Sequence, residues 1–137
     1  MNDLAAARAL YNRDAVLSAS PARLLTMLYD RLLLDLQRAE TAQVAGSWGT
    51  ASTHLLHAQE IVAYLVETLK PELWDGGPGL LGIYQFVTRS LQHANVHRDV
   101  ERTRECIALL EPLRSAWHQA AAEAATPAYD GRGQALA

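Results

Sequence analysis

The chain has 137 residues, of which 50% are hydrophobic and 20% charged, and its formal net charge is −3. This length favours a single domain, because a chain of this size already buries about two thirds of the surface that it exposes when unfolded. The negative charge gives no long-range attraction to phosphate backbones or anionic lipid, so neither nucleic acid nor a membrane surface is expected as a partner.

The N-terminal part of the chain predicts an arm followed by a helix. Residues 1–19 have no long apolar stripe, and we interpret them as an N-terminal arm. Ser20 and Pro21 are a strong helix start, because a serine hydroxyl can accept from a free backbone N–H and a proline in the first turn loses no hydrogen bond. The first helix is predicted from there to about Val44.

Three further helices follow, separated by turn signals. The stretch AGSWGT ends the first helix, and a second is predicted over about 50–69, because Pro71 excludes the helical conformation from the residue before it. The loop PELWDGGPG leads to a third helix over about 80–96, and Asp99 is expected to cap a fourth that runs to about residue 124. Residues 125–137 are interpreted as a flexible tail, which leaves the bundle at 20–124.

Apolar residues recur four and three apart along the later helices, as they do in helices that pack at shallow angles. These seams are Ala51, Leu55, Ala58, Val62, Leu65 and Leu69 in the second helix, Leu80, Tyr84, Val87, Leu91 and Ala94 in the third, and Thr103, Cys106, Leu110, Leu113, Trp117, Ala120 and Ala124 in the fourth. Four amphipathic helices with short loops predict an all-α, antiparallel up-and-down four-helix bundle with an N-terminal arm.

The first helix is more apolar than a single buried face requires. At about 100° per residue, the core-facing residues are Leu25, Leu28, Leu32, Leu36 and Ala39, and a second stripe is formed by Leu24, Met27 and Leu34, with a weaker echo at Leu56 and Ala63 of the second helix. The second stripe lies near Arg31 and Arg38. One interpretation is that loops or the arm bury it, and the other is that it is an apolar strip with a polar rim for a partner helix.

The residue pattern gives little support to catalysis or metal chemistry. The histidine pairs His54/His57 and His93/His97 could hold a metal, but solvated histidines on helix faces are the ordinary interpretation. No glutamate is followed by a histidine three residues later, which excludes the Glu-x-x-His motif of di-iron bundles. Cys106 lies on a core seam and is expected to be a buried, inert thiol. We therefore predict no enzyme, no cofactor and no metal, with a metal-binding bundle as an alternative.

The compartment follows from signals that the sequence lacks. Arg31, Asp35 and Arg38 interrupt the richest apolar segment, so no membrane insertion is expected. A single cysteine and the absence of a secretory signal pattern at the start of the chain predict a reduced, cytoplasmic setting.

A series of short motifs runs from Tyr11 to Trp117. Tyr11, Val16 and the SASP of residues 18–21 are followed by MLYD, and the stretches AQEIVAYL, GIYQF, SLQHANVHRD and AW come later in the chain. In this order and spacing the motifs resemble the N-terminal signature and the later helices of the FliS family of flagellin export chaperones. The chain departs from the family pattern at Arg31, where glycine is common, and at Arg8, where an apolar residue is common. Pro112 is expected to kink the fourth helix.

The resemblance implies a cytosolic, non-catalytic chaperone that binds the C-terminal segment of flagellin, prevents its premature polymerisation and helps deliver it to a component of the flagellar export gate. The alternative is a helical adaptor that docks a different amphipathic helix of a flagellar or secretion component. The candidate residues for client binding or arm docking are Tyr11, Val16, Leu24, Met27, Leu34, Leu56 and Ala63.

Overall fold

The computed structural model describes residues 19–125, which form four antiparallel helices arranged in a ring. They are α1 at Pro21–Val44, α2 at Trp48–Thr68, α3 at Gly77–Val96 and α4 at Val100–Ala125, with a short 3₁₀ helix at Pro71–Leu73. The helices α1 and α3 each pack against both α2 and α4. Opposite ends of α1 and α4 meet, because Asp30 pairs with Arg114 and Glu40 pairs with Arg104. The predicted all-α, up-and-down four-helix bundle is confirmed.

Parts of the predicted organisation lie beyond this region. Tyr11, Val16 and the rest of the segment 1–18 lie outside the described residues, as does the segment 126–137. The division into arm, bundle and tail therefore stays a prediction. Within 19–125 there is no strand, and none of the helices there combines the length and apolar character needed to cross a membrane.

Side-chain hydrogen bonds confirm the two predicted helix caps. The Ser20 hydroxyl accepts from the backbone N–H of Arg23 at 3.2 Å, and the Asp99 carboxylate accepts from the backbone N–H of Glu101 at 3.1 Å. Gly46 turns the chain between α1 and α2 with a φ of 74°, a conformation that costs glycine little. Helix α3 begins three residues earlier than predicted, because Pro78 falls in its first turn, where no hydrogen bond is lost.

The predicted seams hold except at the C-terminal part of α4. The seam residues of α2 and α3 are buried apart from Leu69, which is half-buried. In α4 the seam is buried to Leu110, half-buried at Trp117 and exposed at Ala120 and Ala124. This part of the prediction is wrong, because the turns of α4 beyond Trp117 carry alanines, which offer little area to bury. Helix α4 runs unbroken through Pro112, and the predicted kink stays a prediction.

The predicted second stripe of α1 is wrong at two of its three positions. Leu24 and Met27 are only 8% and 5% exposed and belong to the core, whereas Leu34 is 37% exposed. Leu25, which was predicted to face the core, is half-buried instead. The reason is that α1 packs against both α2 and α4, so its buried arc is wider than a single seam.

Polar side chains of α1 are also buried, and each is paired. Asp35 is fully buried, and its carboxylate accepts hydrogen bonds from Nδ1 of His57 in α2 and from Nε of Arg31, the latter at 3.1 Å. Gln43 accepts from the Thr103 hydroxyl of α4 at 2.7 Å and donates to the Ala94 carbonyl of α3 at 3.3 Å. Burying unpaired polar groups is costly, so these contacts tie α1 to its neighbours.

The corrected burial pattern predicts which α1 residues support the fold. Leu28→Ala is expected to lower the free energy of unfolding by about 2–5 kcal/mol through lost burial and a residual cavity. Met27→Ser is expected to destabilise strongly as well, whereas Leu34→Ser should stay within about 1 kcal/mol of the wild type. Urea denaturation of the three variants checks this. A Leu34→Ser variant as unstable as Leu28→Ala would contradict it.

The Asp35–His57 pair predicts that the effect of Asp35→Asn on the free energy of unfolding changes sign when His57 is also replaced. His57→Ala should destabilise the bundle on the order of 3 kcal/mol, because it removes one partner of a fully buried carboxylate. Asp35→Asn should destabilise the wild type but stabilise the His57→Ala variant, since a neutral amide is cheaper to bury than a carboxylate that keeps only Arg31 as its partner. Denaturation of the four proteins measures the coupling, and additive effects would argue against it.

Candidate functional site

The two ends of the bundle differ in how they are covered. At one end the turns 45–47 and 97–99 are short, and they are linked by the Arg98 guanidinium, which lies 5.3 Å from the centre of the Trp48 ring. At the other end the loop 69–76 joins α2 to α3, beside the start of α1 and the later part of α4. We call these the closed end and the open end.

An apolar groove lies at the open end, with a volume of about 440 Å³. Its walls come from all four helices and the loop, and the lining residues are Pro21, Leu24, Leu25, Leu28, Tyr64, Leu65, Thr68, Leu69, Lys70, Leu73, Trp74, Leu80, Tyr84 and Trp117. Among these lining residues, Lys70 carries the only charged side chain. We call this site the end groove. Its apolar walls and polar rim are suited to binding apolar side chains.

The loop wall of the end groove is tightly folded. The backbone N–H of Leu73 donates to the Lys70 carbonyl at 3.0 Å, and that of Gly77 donates to the Trp74 carbonyl at 3.1 Å. Gly77 is buried against the backbone of Pro71, so closely that a β-carbon there would overlap it. Backbone contacts within the loop therefore stabilise its fold.

The floor of the end groove is neutral. The hydroxyls of Tyr84 and Tyr29 share a buried hydrogen bond of 2.5 Å, and the Trp117 ring lies 6.3 Å from the Tyr29 ring. Burial raises the pKa of Tyr29, and burial together with the neighbouring Tyr29 raises the pKa of Tyr84 far above its usual value. Both phenols stay protonated at physiological pH, so the floor offers packing surface and no ready base.

Two large apolar side chains of the loop remain exposed beside the end groove. Leu73 is 71% exposed and Trp74 is 45% exposed. From the sequence this stretch is predicted only as a connection between helices, and neither residue is predicted as part of the site. The available signal was the presence of two large apolar side chains in a loop otherwise rich in proline and glycine. Such exposed apolar clusters are typical of interaction sites.

The structure brings only part of the predicted site together. Leu24 lines the end groove, and Met27 is buried without lining it. Leu34, Leu56 and Ala63 are exposed on the outer surface of α1 and α2, outside the end groove. Tyr11 and Val16 lie outside the described residues.

The histidines and the cysteine considered for metal binding or catalysis lie outside the end groove. The rings of His93 and His97 contact each other at a tilt of 39°, with their centres 4.4 Å apart, and His93 also pairs with Asp99 at 3.3 Å. Between residues 19 and 125, no three or more His, Cys, Asp or Glu side chains are grouped so that they could hold a metal ion. Cys106 is buried, as predicted, and burial raises the pKa of its thiol to about 11, which disfavours the reactive thiolate.

Comparison with known proteins gives a consistent assignment. The model of the family "Flagellar protein FliS" matches residues 3–124. The flagellar secretion chaperone FliS of Escherichia coli (strain K12) is 32% identical over 111 residues, covering 77% of this chain and 79% of the relative. The flagellar secretion chaperone FliS of Bacillus subtilis (strain 168) is 27% identical over 110 residues, covering 80% of this chain and 82% of the relative.

A solved structure supports the same fold. The crystal structure of a bacterial flagellar chaperone superposes with a TM-score of 0.69, at 18% identity, covering 85% of this chain and 94% of that one. The family match spans the described bundle from its first helix into the last turns of α4. The chain belongs to the FliS family of flagellar secretion chaperones.

Proposed function

We propose that this protein is a cytoplasmic chaperone that binds the C-terminal segment of flagellin, prevents its premature polymerisation and helps deliver it to the flagellar export gate. Membership of the FliS family supports a role in flagellar secretion. The observation that carries the proposal is the apolar end groove, which is beside the exposed side chains of Leu73 and Trp74. The proposed activity is binding, without catalysis.

The chemistry of the end groove is suited to such a client. A segment that forms amphipathic helices only against its neighbours is disordered when it is alone, and its apolar residues then favour self-association. The end groove offers those residues an apolar surface with Lys70 as a charged neighbour. Ordering the segment costs about 2–5 kcal/mol or more of the gross interaction energy. This cost keeps the complex reversible, as delivery to an export gate requires.

The client contact extends beyond the end groove in this proposal. A volume of about 440 Å³ accommodates a few side chains, fewer than a long segment presents. Leu34 and Leu56 are exposed apolar residues on α1 and α2, and the exposed Ala63 adds to them. Arg38 is exposed near Leu34 on α1 and supplies a polar rim. We assign the remaining client contacts to these outer positions.

The end groove also lies where the N-terminal arm joins the bundle. Pro21 lines the groove and begins α1, directly after the segment that contains Tyr11 and Val16. We propose that in the free protein these two residues cover apolar bundle surface and leave it when the client binds. The arm then protects the chaperone from self-association before the client arrives.

The first test of the proposal is a titration with the C-terminal segment of flagellin. We expect one chaperone to bind one segment, with a helix content above the sum of the separate components, because the disordered segment folds on the bundle. Isothermal titration calorimetry and circular dichroism measure stoichiometry and helicity. Flagellin without its C-terminal segment is the control, and its binding at full affinity would contradict the proposal. Tighter binding of an amphipathic helix from another flagellar component would favour the adaptor alternative.

The second test concerns the arm. We expect amide exchange of residues 8–18 to accelerate when the client segment binds, because the arm loses its contact with the bundle. Mass spectrometry of the free and client-bound protein measures the change. A Tyr11→Ser/Val16→Ser variant provides the comparison, since its arm should exchange rapidly in both states. Equal exchange of the wild-type arm with and without client would refute displacement.

A further inference from the structure

The indole ring of Trp74 packs against Gly76. The six-membered part of its indole ring lies so close to Gly76 that a β-carbon on that glycine would overlap the ring. The same indole lines the end groove, yet 45% of the Trp74 side chain is exposed. One part of the indole therefore packs on the loop backbone, while another part remains available at the groove.

The backbone of Gly76 does not itself require glycine. Its φ of −79° and ψ of −10° lie in the right-handed helical region, which any residue adopts. Gly46 is different, because its φ of 74° favours glycine. At position 76 the missing side chain matters for the space it leaves, and the indole of Trp74 occupies that space.

The exposed indole is not explained by stability of the bundle. In the described part of the chain, the fully buried core residues all come from the four helices. Neither Trp74 nor any residue of the 3₁₀ helix is among them. An exposed tryptophan that already packs on the backbone loses less side-chain entropy when it binds a partner than one that extends freely into solvent. Tryptophan is also one of the residues most enriched at the energetic centres of protein interfaces.

We propose that Trp74 is a specificity-determining residue of the end groove, and that Gly76 positions it. The indole packs against a large apolar side chain of the flagellin segment and disfavours segments that carry a charged residue at that point. The inference rests on the proposed function and adds the loop residue that selects the client. Gly76 acts only through Trp74 and does not touch the client.

The glycines of this region provide a matched experiment. Gly76→Ala adds a methyl group that forces the indole from its position, whereas Gly79→Ala adds the same group where nothing lies within 4 Å. Wild type, Trp74→Ala, Gly76→Ala, Gly79→Ala and the double variant Trp74→Ala/Gly76→Ala are titrated with the flagellin C-terminal segment. Thermal unfolding followed by circular dichroism confirms that each variant keeps the bundle.

The position of the indole is followed separately from binding. The protein is labelled with 5-fluorotryptophan, and the ¹⁹F resonance of Trp74 is assigned by its loss in Trp74→Phe. We expect this resonance to move in free Gly76→Ala and to stay in place in Gly79→Ala. An unmoved resonance in Gly76→Ala would overturn the assignment of Gly76 as a positioning residue.

The affinities decide the role of the indole. We expect Trp74→Ala and Gly76→Ala each to weaken client binding about tenfold or more, which is the range of an interface centre. Gly79→Ala should bind within about twofold of wild type, and the double variant should bind no more weakly than Trp74→Ala, because both changes remove one contact. Wild-type affinity in Trp74→Ala, or in Gly76→Ala with a displaced resonance, would overturn the inference alone. A wild-type protein that does not bind the segment would overturn the proposed function and this inference with it.

Discussion

Two buried polar side chains of α1, Asp35 and Gln43, have hydrogen-bond partners on neighbouring helices, and these pairs align the four helices. A core of leucine and alanine tolerates sliding of one helix along another, because apolar contacts are not directional. Asp35 permits no such sliding against α2, because its fully buried carboxylate would lose His57. Gln43 in the same way holds α1 against both Thr103 of α4 and Ala94 of α3.

This alignment also fixes the open end. The hydrogen bond between Tyr29 and Tyr84 joins α1 to α3 directly below the end groove. Arg114 and His118 of α4 both bind the Asp30 carboxylate at 2.6 Å, one position further along α1 from Tyr29. The floor of the groove is thus held by contacts that involve neither the loop nor the arm. A groove with a fixed floor binds without the cost of ordering that floor.

The sequence predicted the elements of the bundle better than the environment of individual residues. Ser20 and Asp99 were identifiable because a cap depends on a few neighbouring residues. The buried position of Met27 was not identifiable, because the helical wheel of α1 does not show how many helices surround it. Asp35 illustrates the same limit, since a charged residue is normally assigned to solvent and its partner His57 lies on another helix. Trp74 was missed because periodicity carries no information about loops, and the space at Gly76 that receives its ring exists only in the folded chain.

The exposed apolar residues proposed for client binding lie outside the core of this protein, although core residues such as Leu28 also line the end groove. The core is complete without Leu73 and Trp74, which remain exposed beside the groove, and the outer residue Leu56 is also half exposed. A bundle that needed its client in order to bury these side chains would unfold after delivery. A bundle whose core is complete without the client can release the client and remain folded, and the cost is that apolar surface stays exposed. Because α1 begins at Pro21 beside the end groove, our proposal gives that surface a covering segment within the same chain, and folding of the bundle and occupation of the groove are then separate equilibria.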